Sequence, residues 1–132
     1  MSVVIREVDN TKELRQFVDF PWLIYQAYPH WAPPLKSDVY ELLDVDKHPF
    51  WKHGKRKLFL AYRGEKAVGR IGAIIDFAHN EQHNEKQGSF GFFECADDEE
   101  AAASLFGAAV DYHREEGAEL IRGPLNPSLN YE

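Results

Sequence analysis

The sequence predicts an α/β chain with the element order β-α-α-β-β-β-α-β, and three observations carry that prediction. The first is a hairpin. Apolar runs at residues 58–62 and 67–77 flank Arg63, Gly64, Glu65 and Lys66, which supply the turn chemistry. The second is a helix at residues 98–116. Ala102, Leu105, Phe106, Ala109, Val110 and His113 recur on one face, acids fill the first turn, and Gly117 is placed to end it in the left-handed conformation. The third is a short apolar strand at residues 119–123, from which Pro124 and Pro127 turn the chain away.

The remaining elements follow in chain order. Residues 3–8 read as a short strand. Asn10 or Thr11 caps a helix, with Glu13 placed to reach back to a free amide. Leu14, Phe17 and Val18 continue it at helical spacing until Pro21, which is expected to interrupt or kink the pattern. Residues 22–35 carry Trp22, Tyr25, Tyr28 and Trp31 among Pro29, Pro33 and Pro34, which predicts a packed aromatic loop. Ser37 is expected to cap a short helix at 38–43, and His48-Pro49-Phe50-Trp51 to lead into the hairpin. Beyond the hairpin, residues 79–87 read as a polar loop and 89–95 as a strand. Gly69 and Gly72 lie inside a strand and predict a bulge or close packing there.

Composition narrows the function. The 132 residues fit one domain, spanning 1–132, and 44% hydrophobic content is that of a folded chain. A formal net charge of −7 argues against nucleic-acid and acidic-membrane partners. Cys95 is the single cysteine, so an internal disulfide and a thiolate zinc cluster are excluded, and a reducing compartment is expected. The start, MSVVIREV, is too short and too charged for a signal peptide. No apolar run approaches the roughly 20 residues of a membrane span, so the expectation is a soluble cytoplasmic protein.

The element order resembles the first five strands and three helices of the acyl-CoA-dependent N-acetyltransferase (GNAT) fold. The strings FPWLIYQAYPHWAPPL, HPFW, GFFECADDEEAAASLF and RGPLNPS are similar to a bacterial branch of that superfamily. The resemblance implies a three-layer domain on a mixed, largely antiparallel sheet, with acyl-CoA between splayed fourth and fifth strands. It also implies that the chain is an N-terminal portion, with Glu132 falling before a last helix and two last strands. In GNAT enzymes the pyrophosphate sits on amides opening the helix after the fourth strand, where glycine lets the backbone approach. Here the corresponding stretch is Glu94-Cys95-Ala96-Asp97-Asp98-Glu99-Glu100. It lacks glycine and basic residues and sets four consecutive carboxylates where the diphosphate would dock. This segment is therefore expected not to hold CoA tightly.

The resemblance implies Glu94 as the general base that deprotonates an amine acceptor, against the plainer reading of a solvated strand end or a partner for Arg122. It implies cofactor contacts from Arg122, Asn126 and Ser128, whose plainer reading is a proline-fixed turn. Trp22, Tyr25 and Trp31 stand as acceptor-binding candidates, with Tyr28 and Trp51 beside them, or as core aromatics. Cys95, beside acids, reads as a buried packing residue. His79 and His83 have the spacing of metal ligands on a helix, but Asn80 replaces the glutamate of the protease motif and no metal is expected. Two functions stand: an acyl-CoA N-acyltransferase acting on a small amine, and a non-catalytic binding or assembly domain on the same scaffold. A sensor using the aromatic pocket is a third, weaker reading. A homodimer through the edge of the strand at 119–123 is expected in either case.

Overall fold

The hydrophobic run of the hairpin forms the centre of a five-stranded sheet, in spatial order β1-β2-β3-β4-β5. The computed structural model describes residues 2–25 and 35–124. In chain order the elements are β1 (Val3–Glu7), α1 (Thr11–Tyr25), α2 (Lys36–Leu43), a 3-10 turn (Pro49–Lys52), β2 (Gly54–Arg63), β3 (Lys66–Asp76), α3 (Phe77–His83), β4 (Gln87–Cys95), α4 (Glu99–Glu115) and β5 (Leu120–Arg122). The first four strands are antiparallel and β5 joins β4 in parallel, as the mixed sheet requires.

The hairpin closes with Arg63 opposite Lys66 around Gly64 and Glu65. Gly64 takes φ 62, which matches the right-handed twist of the strands in a tight two-residue turn. From Leu58 to Tyr62 and from Val68 to Ile75 every residue is buried, because β2 and β3 are covered on both faces. One layer sets Phe17 and Val18 of α1 and Val39 and Leu43 of α2 on Leu58, Leu60, Ile74 and Phe92. The other sets Ala101, Leu105, Ala109 and Tyr112 of α4 on Phe59, Ala61, Ile71, Ala73 and Ile75.

Several local expectations are corrected. The chain does not leave the helix at Pro21. Helix α1 runs through it to Tyr25, so Trp22 and Tyr25 are helical and not part of a loop. Its start is as expected: Asn10 Oδ1 accepts from the Glu13 amide at 2.8 Å, and Glu13 reaches back to the Asp9 amide at 3.1 Å. Ser37 is not a cap. Helix α2 begins at Lys36 after an extended Leu35 that offers no side-chain bond. The polar stretch after the hairpin is helical, because Asp76 caps the His79 amide and Asn84 ends the helix at φ 52. The buried stripe of α4 is also rotated. Ala101, Leu105, Ala109, Tyr112 and His113 are buried, whereas Ala102, Phe106 and Val110 are half-buried. Gly117 follows the helix at φ 84 as expected, whereas Asp98 stands before the first turn as the cap, accepting from the Ala101 amide.

Both strand glycines are explained by packing. A Cβ on Gly69 would sit 2.7 Å from Leu105 Cδ1, and one on Gly72 would sit 3.2 Å from Leu58 Cδ2. The register of β3 also slips beside each of them.

Candidate functional site

Strand β4 carries the irregularity that shapes the site. Gly91 lies opposite Gly72 and Glu94 opposite Arg70, so Phe92 and Phe93 together face Ile71. This is a bulge, and Phe92 takes φ 56, a region that bulky side chains seldom occupy. On its other side β4 pairs with β5 only at Gln87, Gly88 and Ser89. Among the described residues, no strand lies on the outer edge of β4 from Gly91 to Cys95. A strand edge of this kind, beside a bulge that re-aims its backbone, is a place where an extended ligand can add to a sheet.

An apolar wall flanks this edge on the α4 side. The Phe106 ring meets Phe90 edge-on at 5.1 Å and Phe93 at 4.7 Å, and all three are half-buried. On the α1 side, Glu94 and Arg70 are register partners and share one face of the sheet. Arg70 is 7% exposed. It donates from Nε to the Phe92 carbonyl at 2.8 Å and from Nη1 to the Phe17 carbonyl at 2.7 Å, and lies 4.9 Å from the Phe17 ring centre. Burial pulls its pKa down to about 10, while the charges of Glu94 and Tyr25 act in the opposite direction. Of the predicted residues, Glu94 stands opposite an arginine that the sequence reading did not single out, and the charge of Tyr25 also acts on it. Its one signal was a lone cation inside an apolar strand.

The pairing of β5 separates Glu94 from Arg122. Arg122 aligns with Ser89, five residues along β4 from Glu94, which is about 16 Å at roughly 3.3 Å per residue. Arg122 is exposed, and the plainer reading of Glu94 as its partner does not hold. Gly123 does permit close approach, and what approaches is Phe90, whose carbonyl lies 2.5 Å from where a Cβ would stand. Asn126, Ser128, Tyr28 and Trp31 lie outside the described residues. Trp22 is half-buried, with the Lys36 ammonium 4.8 Å over its ring, and Trp51 is a core residue whose indole N–H donates to the Leu42 carbonyl at 2.8 Å.

The start of α4 is already occupied by the chain's own carboxylates. Asp98 Oδ1 accepts from the Ala101 amide at 3.1 Å, and Arg63, from the hairpin turn, bonds Asp98 at 2.6 and 3.0 Å and Glu100 at 2.8 Å. The guanidinium holds the Asp98 carboxyl down to about 2, well below the usual carboxylate range. The basic residue missing from this segment is thus supplied from a distance and consumed by the acids. Cys95 is half-buried, not fully buried as expected. Burial first, then Asp98, push its thiol up, which disfavours the thiolate.

His79 and His83 do stack on α3, with ring centres 4.4 Å apart, and His79 Nε2 meets Glu85 at 3.1 Å. Among the described residues, no three His, Cys, Asp or Glu side chains are grouped to hold a metal ion. Nor is any described helix long and apolar enough to cross a membrane. A shallow depression of about 630 Å³ lies between β1, the start of α1 and the hairpin turn, lined by Arg6, Lys12, Glu13, Gln16 and Tyr62. It is on the opposite edge of the sheet from β4 and shares no residue with the site.

No protein-family model matches the chain. It is 35% identical over 129 residues to Protein YghO of Escherichia coli K12, and 35% identical over 126 residues to the bacterial ceramide synthase of Caulobacter vibrioides. These alignments cover 98% and 95% of this chain but 33% of each relative, so the chain spans about a third of their length. Among solved structures, an aminoglycoside acetyltransferase from an uncultured soil metagenomic sample superposes with a TM-score of 0.62 at 12% identity, over 92% of this chain and 77% of that one. Glucosamine-6-phosphate N-acetyltransferase of Arabidopsis thaliana gives 0.59 at 8% identity, over 94% and 83%. A GNAT family acetyltransferase of Staphylococcus aureus gives 0.53 at 15%, over 98% and 93%. The parallel β4–β5 pair and these superpositions agree: this chain has the fold of the GNAT acetyltransferases.

Proposed function

We propose that this chain forms the core of an acyl-CoA-dependent N-acyltransferase, moving an acyl group from a CoA thioester to a primary amine. The observation that carries the reading is the open edge of β4 beside its bulge, walled by Phe90, Phe93 and Phe106, with Glu94 opposite Arg70. An acyl-pantetheine arm laid along that edge has backbone groups to bond and aromatic rings to cover it. The amine attacks the thioester carbon, a C–N bond forms as the C–S bond breaks, and Glu94 accepts the proton of the amine and passes it to the departing CoA thiolate, which leaves as thiol. CoA is the acyl donor in this reaction, and no metal takes part.

The acceptor we favour is a long-chain amino alcohol. One relative is named a bacterial ceramide synthase, and Leu23 at the end of α1 and Leu35 before α2, 61% and 67% exposed, offer apolar surface to such a chain. Trp31, Arg122, Asn126 and Ser128 remain candidates for acceptor and cofactor contacts. A cytoplasmic setting suits the single free thiol of Cys95.

The self-occupied start of α4 favours a second reading, a non-catalytic binding domain that has kept the scaffold. Thiol release from palmitoyl-CoA in the presence of sphinganine, followed with a thiol reagent, separates the two. We expect amine-dependent release that falls about 100-fold or more in Glu94→Gln. Absence of amine-dependent release, together with unchanged thermal stability on adding acyl-CoA, would favour the binding domain.

A further inference from the structure

Two irregularities far apart in the chain meet at one buried side chain. Pro21 has no N–H, so the Phe17 carbonyl, four residues earlier in α1, has no helical donor at that position. The bulge of β4 turns the Phe92 carbonyl toward β3 at a residue held at φ 56. Arg70 donates to both carbonyls, and these are its hydrogen bonds among the described residues. Burying a guanidinium without a hydrogen-bonded carboxylate is unfavourable unless the geometry around it is closely matched. A planar fork with donors on two sides supplies that match, joining a helix to a strand bulge in one group.

We propose that Arg70 is a positioning residue that locks α1 at Pro21 to the bulge of β4, fixing the edge of β4 and the placement of Glu94. Its consequence for catalysis rests on the acyltransferase reading, whereas its effect on the bulge does not. Phe92 occupies a backbone region that an aromatic residue leaves readily unless it is held. Released, β4 would return to extended geometry between Gly91 and Glu94. Every residue beyond the bulge would then shift in register, moving Glu94 off the face it shares with Arg70.

The test separates this role from simple helix repair. Pro21→Ala returns an N–H to the Phe17 carbonyl, so Arg70→Met in that background removes the bond to Phe92 while the Phe17 carbonyl keeps a donor. Backbone NMR of the double variant is expected to show α1 amides as protected as before, while Phe92 leaves positive φ and the Glu94 signals move. Thiol release with acyl-CoA and amine should fall about 100-fold, mostly in kcat and not in the KM for acyl-CoA. Should Phe92 keep its positive φ in the double variant, Arg70 would be core filling and the proposal would be overturned. If that variant does not fold, Arg70→Lys decides by the same NMR readout. Its point-like ammonium cannot reach both carbonyls in a planar fork, so the Phe92 signals must move for the proposal to stand. A parent chain without acyl transfer would refute the acyltransferase reading and leave the NMR result to judge Arg70 alone.

Discussion

Arg70 gives the Phe17 carbonyl the hydrogen bond that Pro21 cannot, across 2.7 Å. The proline would otherwise leave an acceptor inside the layer where Phe17, Phe20 and Pro21 are all buried. The two residues should therefore be energetically coupled. Arg70→Met is expected to cost about 1 kcal/mol more in the parent than in the Pro21→Ala background, the value of one buried acceptor left unpaired. Urea denaturation of the four members of the cycle measures it. Strict additivity would mean that the helix satisfies the carbonyl some other way.

Leu105 is fully buried between α4 and the central strands, and Phe106 is only half-buried beside Phe90 and Phe93. Leu105→Ala is expected to cost about 2–5 kcal/mol, the usual range for a large-to-small core change. Phe106→Ala should cost less, and should weaken binding of a long acyl chain more than it weakens the fold. Chemical denaturation showing less than about 1 kcal/mol for Leu105→Ala would contradict the burial of this face.

The elements that the sequence disclosed carry their own chemical punctuation. Gly64 marks the hairpin turn, Asp98 and Gly117 mark the ends of α4, and Asn10 with Glu13 marks the start of α1. Helix α3 had similar signals in Asp76 and Asn84, yet its polar side chains outweighed them in the reading. What could not be read was set by distant partners. The Phe17 carbonyl that Pro21 cannot serve finds its donor on a side chain 49 positions after the proline, and Arg63 reaches Asp98 across 35. The buried stripe of α4 includes Tyr112, whose ring lies under Lys55 and Lys57, a contact that helical spacing does not reveal. Glu94 was legible as a candidate base. Its neighbour Arg70 was not, since pairing register decides which of two arginines stands opposite it.

Acid should loosen the fold in two stages. The His113 ring is fully buried, its Nε2 donates to the Ser89 carbonyl at 2.8 Å, and Nδ1 has no partner among the described residues. Burial, the largest effect, pushes its pKa below 6.5, although the Ser89 carbonyl and Glu116 pull the other way. The unfolded chain then binds the proton more readily than the folded one. The stabilising effect is present above pH 6.5 and is lost as pH falls through the lower folded value. Asp98 follows at lower pH, with a contribution present above 3.8 and lost on approach to about 2. Urea midpoints measured across this range should show the first stage, and His113→Leu should abolish it. A first stage that persists in His113→Leu would place the titrating group elsewhere.

Acetyl-CoA should bind this chain weakly, because the amides opening α4 already serve Asp98. Acetyl-pantetheine, which lacks the diphosphate, should bind about as well as acetyl-CoA. Lengthening the acyl group should help both by up to about 0.8 kcal/mol per buried CH2. Calorimetry compares them directly. Low-micromolar affinity for acetyl-CoA would contradict this account and would point to Arg122 or Asn126, in which case Arg122→Ala should weaken it.

The outer edge of β5 should hold a second copy of the chain. Among the described residues Leu120–Arg122 pairs only with β4, and Leu120 is 55% exposed. A strand edge with free N–H and C=O groups and an apolar side chain pairs readily with another edge. Meeting across a two-fold axis, two β5 strands would continue the sheet from one protomer into the next. Pro124 limits the length of the new ladder, because it cannot donate to it, so the contact has to gain strength from side chains as well. Sedimentation velocity at micromolar concentration should find a dimer, and Leu120→Lys should return it to monomer by placing a charge on each edge. A monomeric parent chain whose residues 119–123 resist hydrogen exchange would show that the chain covers this edge by itself.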